Sequence, residues 1–175
     1  FAPAEQLLLG AEAARAWEKL PKLVVRNKNF CDVLSAPKVQ GWHLMTLTRG
    51  DVVSPAGEPE NGWQKVLLAD GRSGYVQASI LAPHYTEPCC ADEDGFRAAL
   101  VDAALLYAGT HYRWGGKSPM GIDCSGLVSM AYMLCGVYIY RDANIVEGFP
   151  IREIDRAHMK PGDLLFFPGH VAMYM

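Results

Sequence analysis

Patterns that would define several protein classes are absent from this 175-residue sequence. No apolar run reaches the roughly 18 residues of a membrane-spanning helix, so no such helix is expected. No internal repeat or low-complexity tract is present, which excludes solenoid and repeat-array folds. The basic residues are scattered and the formal net charge is −3, which together argue against a nucleic-acid partner.

A signal-peptide pattern, in which a basic segment is followed by an apolar one, is also missing. The sequence starts at Phe1 instead of a methionine, as it would after removal of a leader or trimming during cloning. The first residues therefore do not decide the compartment in which the protein works.

Cysteine occurs five times, an odd number, so the thiols cannot all pair within one chain. Cys135 lies among apolar residues on the same predicted helix as Cys124, which indicates a buried core thiol. Cys89 and Cys90 follow His84, but no second pair of ligands occurs at zinc-finger spacing. We expect linker thiols there, with no metal site and no cofactor.

The most informative segment is YRWGGKSPMGIDCSGLV, residues 112–128. Its glycines and proline give way to an almost wholly apolar run at 127–134, so a loop passes into a buried helix at Cys124. Asp123 is suited to the N-cap position, where its carboxylate accepts a backbone N–H. Cys124 would then lie at the positive end of the helix dipole, which favours the thiolate and predicts a nucleophile.

A thiolate that cleaves amides needs a general base, and among the five histidines His170 has the most suitable context. Turn residues at 160–163 and 168–169 enclose a predicted strand at 164–167, and a second strand follows from His170. A histidine at the start of a buried strand is held rigidly toward a neighbouring helix end. From the spacing alone, a core or turn histidine without a catalytic role is the commoner case.

The segment at 112–128 and the later segment MKPGDLLFFPGHVAMY at 159–174 together resemble the NlpC/P60 cell-wall peptidases, papain-like cysteine enzymes of bacteria. The resemblance covers roughly residues 95–175. It implies a helix bearing the nucleophile, packed on a small antiparallel sheet bearing the histidine. The predicted fold class is therefore α+β.

Matched by position, the resemblance implies Cys124 as the nucleophile, His170 as the base and Tyr112 as the hydroxyl that points to the oxyanion. The family's third catalytic residue, usually a histidine on the next strand, has no counterpart in the sequence, so we expect the natural protein to continue beyond Met175. The resemblance also implies three residues that line the substrate site, namely Trp114, Asp123 and Ser125.

The implied reaction is hydrolysis of the amide between γ-D-glutamate and a diamino acid, diaminopimelate or lysine, in peptidoglycan stem peptides. Two alternatives stay open: an acyltransferase that uses the same cysteine, and a peptidoglycan-binding protein without catalysis. The expected partners are peptidoglycan fragments, including muropeptides with a free N-terminal L-alanine. The resemblance favours the cell envelope or secretion, with muropeptide recycling in the cytoplasm as the alternative.

The first half of the sequence has a different pattern. Apolar residues at helical spacing between Pro3 and Pro21 predict a helix over 4–20. Short β-like runs broken by glycine turns follow, which predicts a small all-β barrel. The strands are expected at 23–25, 43–47, 52–53, 63–68 and 74–76.

The runs GWQKV at 62–66 and DGRSGYV at 70–76 resemble the bacterial SH3-like (SH3b) domain, which often accompanies NlpC/P60 domains. The resemblance implies a barrel that recognises peptidoglycan or forms a wall of the active-site cleft. The alternative, favoured for Trp63, is that Trp63 and Tyr75 are core aromatics. The predicted divisions are an N-terminal helical segment at 1–22, an SH3b-like barrel at 23–82, a linker at 83–94 and an NlpC/P60 domain at 95–175.

Overall fold

Residues 11–175 are described by a computed structural model of the protein. The chain divides after Pro83 into two units, each with its own buried apolar residues. We call them unit 1, which ends at Pro83, and unit 2, His84–Met175. No helix within the described range is both long and apolar enough to cross a membrane.

Unit 1 begins with helix α1 (Ala11–Glu18), which lies within the helix predicted over 4–20. The predicted residues at 4–10 lie outside the described range. Trp17 is half-buried, and its indole Nε1 donates a hydrogen bond to the Leu67 carbonyl at 3.3 Å. Trp17 thus attaches the helix to the sheet that follows it.

Seven strands follow in unit 1: β1 (Leu23–Val25), β2 (Phe30–Leu34), β3 (His43–Thr48), β4 (Val52–Pro55), β5 (Trp63–Leu67), β6 (Ser73–Gln77) and β7 (Leu81–Pro83). They pair in one antiparallel sheet with the order β3-β2-β6-β5-β4-β1-β7. Because side chains alternate along each strand, every second one can enter the core. Valines dominate that core: Val25, Val33, Val53, Val66 and Val76.

All five strands expected from the sequence are present, but β2 and β7 were missed. β2 alternates exposed and buried residues, yet Cys31 and Asp32 interrupt its apolar pattern in the sequence. It pairs with β3 along its length and with β6 through Leu34 and Tyr75. The prediction of antiparallel β-structure is confirmed, whereas the finer SH3b assignment stays a prediction.

Unit 2 contains helix α2 (Glu93–Leu105), helix α3 (Cys124–Leu134) and two short antiparallel strand pairs. The pairs are β8 (Lys117–Ser118) with β9 (Gly121–Ile122), and β10 (Leu164–Phe167) with β11 (His170–Met173). α2 packs against α3, and α3 packs against β11, so the expected packing of the cysteine helix on antiparallel strands is confirmed. The buried apolar residues include Leu100, Ala103, Val128, Ala131, Leu134, Cys135 and Val171.

The segment before α2 is bonded to the residues at the end of α3. The Cys89 N–H donates to the Cys135 carbonyl at 3.0 Å. The His84 ring is hydrogen-bonded to the Tyr138 hydroxyl at 2.8 Å. The predicted linker at 83–94 is thus anchored to unit 2 at two points, and its last two residues belong to α2.

Candidate active site

Helix α3 starts at Cys124 because Asp123 caps its first turn. Asp123 has extended backbone angles, and its Oδ1 accepts a hydrogen bond from the Gly126 N–H at 2.6 Å. Its Oδ2 accepts a second hydrogen bond from the Gly115 N–H at 2.8 Å. One carboxylate therefore joins the helix start to the preceding loop, and the predicted N-cap is confirmed.

Close backbone packing holds this loop in place. A Cβ atom on Gly126 would collide with the Gly116 carbonyl oxygen and would lie 2.8 Å from Asp123 Oδ1. The Asp123 N–H donates to that same carbonyl at 3.2 Å. Because a backbone carbonyl cannot swing aside as a side chain can, position 126 requires glycine. The loop that carries Trp114 is thereby held against the first turn of α3.

Arg141, which was not predicted from the sequence, completes the arrangement. Its Nη1 donates to Asp123 Oδ1 at 3.1 Å and to Ser125 Oγ at 2.7 Å. Its Nη2 donates to Asp123 Oδ2 at 3.1 Å and to the Gly116 carbonyl at 3.3 Å. The planar guanidinium thus binds the carboxylate in a bidentate manner. The sequence signal that could have identified Arg141 is its place shortly after the apolar helix. The buried carboxylate that caps this helix needs a positively charged partner.

Burial and hydrogen bonding act in opposite directions on Asp123. Partial burial by itself raises the pKa of this carboxyl group, because it disfavours the charged form. The hydrogen bonds from Arg141, Gly126 and Gly115 outweigh that effect and hold the pKa of Asp123 below its usual range. Asp123 is therefore a carboxylate at neutral pH, with its charge balanced by Arg141.

These elements border an open cleft of about 530 Å³ in unit 2. Cys124 is half-buried in its wall, so the thiol is reachable yet partly shielded from water. Tyr112 and Trp114, on the preceding loop, are 62% and 86% exposed. The cleft thus brings together five of the six predicted site residues, whose individual roles stay predictions. The other lining residues are Gly115, Asp123, Ser125, Arg141, Asp142, Ala143, Asn144 and Gly169.

His170 is the predicted site residue that does not line the cleft. It is exposed at the start of β11 and lies opposite Phe167, with their ring centroids 6.2 Å apart. The residue before it, Gly169, lines the cleft. The residue after it, Val171, is buried, and its strand packs on α3. His170 is therefore one residue from the cleft wall, and its role as the base stays a prediction.

The other four thiols have different surroundings from Cys124. Cys31 is buried in unit 1, where burial raises its pKa to about 11. Cys135 is buried at the end of α3, as predicted, while Cys89 and Cys90 are half-buried. All five cysteines are free. Within residues 11–175, no three His, Cys, Asp or Glu side chains are grouped so that they could hold a metal ion.

The model of the NlpC/P60 family matches residues 109–175, which contain the cleft loop, α3 and the β10–β11 pair. The match supports an NlpC/P60-type domain in this part of the chain. A relative from Lysinibacillus sphaericus, named dipeptidyl-peptidase 6, is 51% identical over 154 residues, which cover 86% of this chain and 56% of the relative. Murein DD-endopeptidase MepH of Escherichia coli (strain K12) is 44% identical over 87 residues, which cover 43% of this chain and 31% of the relative.

The fold has a counterpart among solved structures. The crystal structure of an NlpC/P60 family protein from Bacillus cereus ATCC 10987 matches with a TM-score of 0.73 and covers 92% of this chain and 53% of that chain. At 24% identity, this likeness concerns the fold alone. The chain spans 56% and 31% of the two curated relatives. Both curated relatives are named as peptidases.

Proposed function

We propose that the NlpC/P60 domain is a cysteine hydrolase that cleaves the amide between γ-D-glutamate and a diamino acid in peptidoglycan stem peptides. One observation carries the proposal: Cys124 begins a capped helix and lines an open cleft. A thiol at a helix N-terminus is favoured as the thiolate, which is the nucleophilic form. The substrate class comes from the family resemblance and from a relative named as a murein endopeptidase.

The proposed reaction has two steps. The Cys124 thiolate attacks the amide carbon, and the oxyanion accepts hydrogen bonds from the Tyr112 hydroxyl and from a backbone N–H at the start of α3. The C–N bond breaks as His170 gives a proton to the leaving amine, and a thioester remains on Cys124. His170 then takes a proton from water, which hydrolyses the thioester and restores the thiolate.

Asp123 and Ser125 support the nucleophile from both sides. The Asp123 oxygens are engaged by two backbone N–H groups and by Arg141, so we assign Asp123 a positioning role. Ser125 Oγ accepts from Arg141 and donates to Asp123 Oδ1 at 3.4 Å, a long bond that a substrate acceptor could replace. Ser125 is therefore the better placed of the two to contact a substrate.

The charges around the cleft favour a cationic group on the substrate. Arg141 is balanced by Asp123, which leaves the exposed carboxylate of Asp142 on the cleft wall. Stem peptides carry an amine on the diamino acid and, when free, on the N-terminal L-alanine, and opposite charges across a binding site favour the correct partner. Trp114 adds a broad apolar surface to the same cleft.

We extend the proposal to the rest of the chain. The seven-stranded antiparallel sheet with its valine core supports an SH3b-like domain at 23–82, joined by the segment at 83–94 to the catalytic part at 95–175. A relative named for murein hydrolysis supports action in the cell envelope or outside the cell. Recycling of muropeptides in the cytoplasm is the alternative.

Synthetic tripeptides test the bond and the substrate. L-Ala-γ-D-Glu-meso-diaminopimelate should release diaminopimelate, whereas the isomer linked through the α-carboxyl of D-glutamate should stay intact. Acetylation of either amine, the one on L-alanine or the one on the diamino acid, should raise KM for the wild type if that amine meets Asp142. The same acetylation should have no effect in Asp142→Asn. Equal cleavage of the α-linked and γ-linked peptides would contradict the proposed specificity.

The same assay separates two other functions. An acyltransferase would divert L-Ala-γ-D-Glu to an amide product when a primary amine is added. A peptidoglycan-binding protein without catalysis is favoured by one observation, that His170 does not line the cleft. Such a protein would bind peptidoglycan fragments and would leave every tripeptide intact.

A further inference from the structure

A second pocket lies in unit 1, and its residues take no part in the proposed hydrolysis. It measures about 340 Å³, within the range of pockets that accept a small ligand. Carboxylates and aromatic faces both attract cations, and this pocket has both. The residues that supply its charge and its rings are Glu58, Glu60, Trp63, Lys65 and Tyr75.

Strand geometry assembles the aromatic wall. Trp63 and Lys65 are two residues apart on β5 and share one face, while Gln64 between them is 4% exposed on the core side. Tyr75 on β6 lies directly opposite Lys65 in the antiparallel register. Both rings are half-buried on the outer face of the sheet. Trp63 is therefore not the core aromatic that the sequence favoured.

The acidic wall is held by a tight turn and by a buried amide. Glu60 and Trp63 exchange two backbone hydrogen bonds of 2.9 Å across a turn at 61–62, where both residues have positive φ. The Gln64 Nε2 donates to the Gly57 carbonyl at 2.9 Å, which fixes the loop that precedes Glu60. The pocket is thus formed before any ligand arrives, which lowers the entropic cost of binding.

The polar side-chain groups of this pocket are available to a ligand. In the described part of the chain, the carboxylates of Glu58 and Glu60 have no ion-pair or hydrogen-bond partner, and the polar atoms of the two rings have none. Lys65 forms no ion pair with either glutamate within that range. The two glutamates and one lysine give the lining a formal charge of −1.

We propose that this pocket binds an alkylammonium group of a peptide, held between the glutamate carboxylates and the rings of Trp63 and Tyr75. The carboxylates accept the N–H bonds of an ammonium, and the ring faces attract its charge. The inference stands apart from the proposed hydrolysis, because every residue that it uses lies in unit 1. A neutral glycan would also stack on aromatic rings, but it would not exploit the negative charge of the lining.

The test is a titration of the full chain carrying Cys124→Ala, followed through the Trp63 indole N–H resonance by NMR. The probe is Nα-acetyl-lysine methylamide, and its matched control is the same compound acetylated on the side-chain nitrogen. We expect a saturable shift with the probe and none with the control. Equal shifts from both compounds, a shift from chitotriose alone, or no saturable shift at all would each overturn the proposal.

Three variants make the result specific. The double variant Glu58→Gln with Glu60→Gln keeps the side-chain shapes and should weaken probe binding about tenfold. Glu12→Gln, on the exposed side of α1, removes the same charge elsewhere in unit 1 and should leave binding unchanged. Lys65→Met removes the competing cation and should tighten binding about threefold. Unchanged affinity in the double variant, or weaker binding after Lys65→Met, would contradict an ammonium site.

Discussion

The Arg141 guanidinium donates to both carboxylate oxygens of Asp123, Nη1 to Oδ1 and Nη2 to Oδ2, each at 3.1 Å. The same guanidinium bonds Ser125, so the residues on either side of Cys124 share one partner. The segment after α3 thus holds the start of α3. This ion pair is the structural basis for the position of Cys124, the proposed nucleophile.

Arg141→Lys tests whether the ion pair between Arg141 and Asp123 positions Cys124. Lysine keeps the charge but lacks the planar fork, so it cannot serve Asp123 and Ser125 together. We expect the free energy of unfolding to fall by about 2 kcal/mol and kcat to fall more than KM changes. Urea unfolding and steady-state kinetics measure both, with exposed Arg152→Lys as the matched control. Wild-type stability and turnover in Arg141→Lys would disprove the positioning role.

The low pKa of Asp123 makes the site sensitive to acid. Because this pKa is lower in the folded protein than in the unfolded chain, its contribution to stability is complete above the ordinary aspartate pKa of about 3.9. The contribution is lost as the pH falls through the folded value. In this acidic pH range we expect the free energy of unfolding to fall more steeply for the wild type than for Asp123→Asn. The asparagine keeps a capping oxygen but has no charge to lose. Parallel curves of unfolding free energy against pH would refute this assignment.

Tyr112→Phe tests the oxyanion contact. Tyr112 lines the cleft and is 62% exposed, so loss of its hydroxyl should leave the fold intact. Loss of one oxyanion donor should lower kcat about a hundredfold. Tyr174→Phe is a suitable control, since Tyr174 is 38% exposed and does not line the cleft. Equal rates for both variants would remove Tyr112 from the mechanism.

Alkylation rates should distinguish Cys124 from the other thiols. Iodoacetamide should modify Cys124 first, because Cys124 lies at the start of α3 and lines the open cleft. Cys31 and Cys135 should react slowest, because both are buried, and burial also raises the pKa of Cys31 to about 11. Peptide mapping by mass spectrometry gives the rate at each site. If Cys124 reacts no faster than the half-buried Cys89 and Cys90, the helix does not activate it.

Features encoded by neighbouring residues could be predicted from the sequence. Asp123 precedes an apolar helix and caps it, and the turn at 168–169 joins two strands that pair as expected. Strand β2 was missed because Cys31 and Asp32 mask an alternation that becomes visible only through burial. A local pattern thus predicts a cap or a hairpin well and predicts a mixed-polarity strand poorly.

Contacts between distant positions could not be predicted in this way. Arg141 meets Asp123 across 18 positions, and no helical or strand period connects them. The unit 1 pocket depends on the register that places Lys65 opposite Tyr75, which only the folded sheet defines. The family resemblance supplied the cleft residues, yet it did not indicate that His170 would lie one residue outside the cleft lining.

The most direct test of the proposed hydrolysis is the release of diaminopimelate from L-Ala-γ-D-Glu-meso-diaminopimelate by the wild-type chain and by Cys124→Ala. Mass spectrometry detects both the dipeptide and the free diamino acid. The proposed hydrolysis by Cys124 predicts release by the wild type alone. Equal release by Cys124→Ala, or an intact substrate in the presence of the wild type, would contradict it.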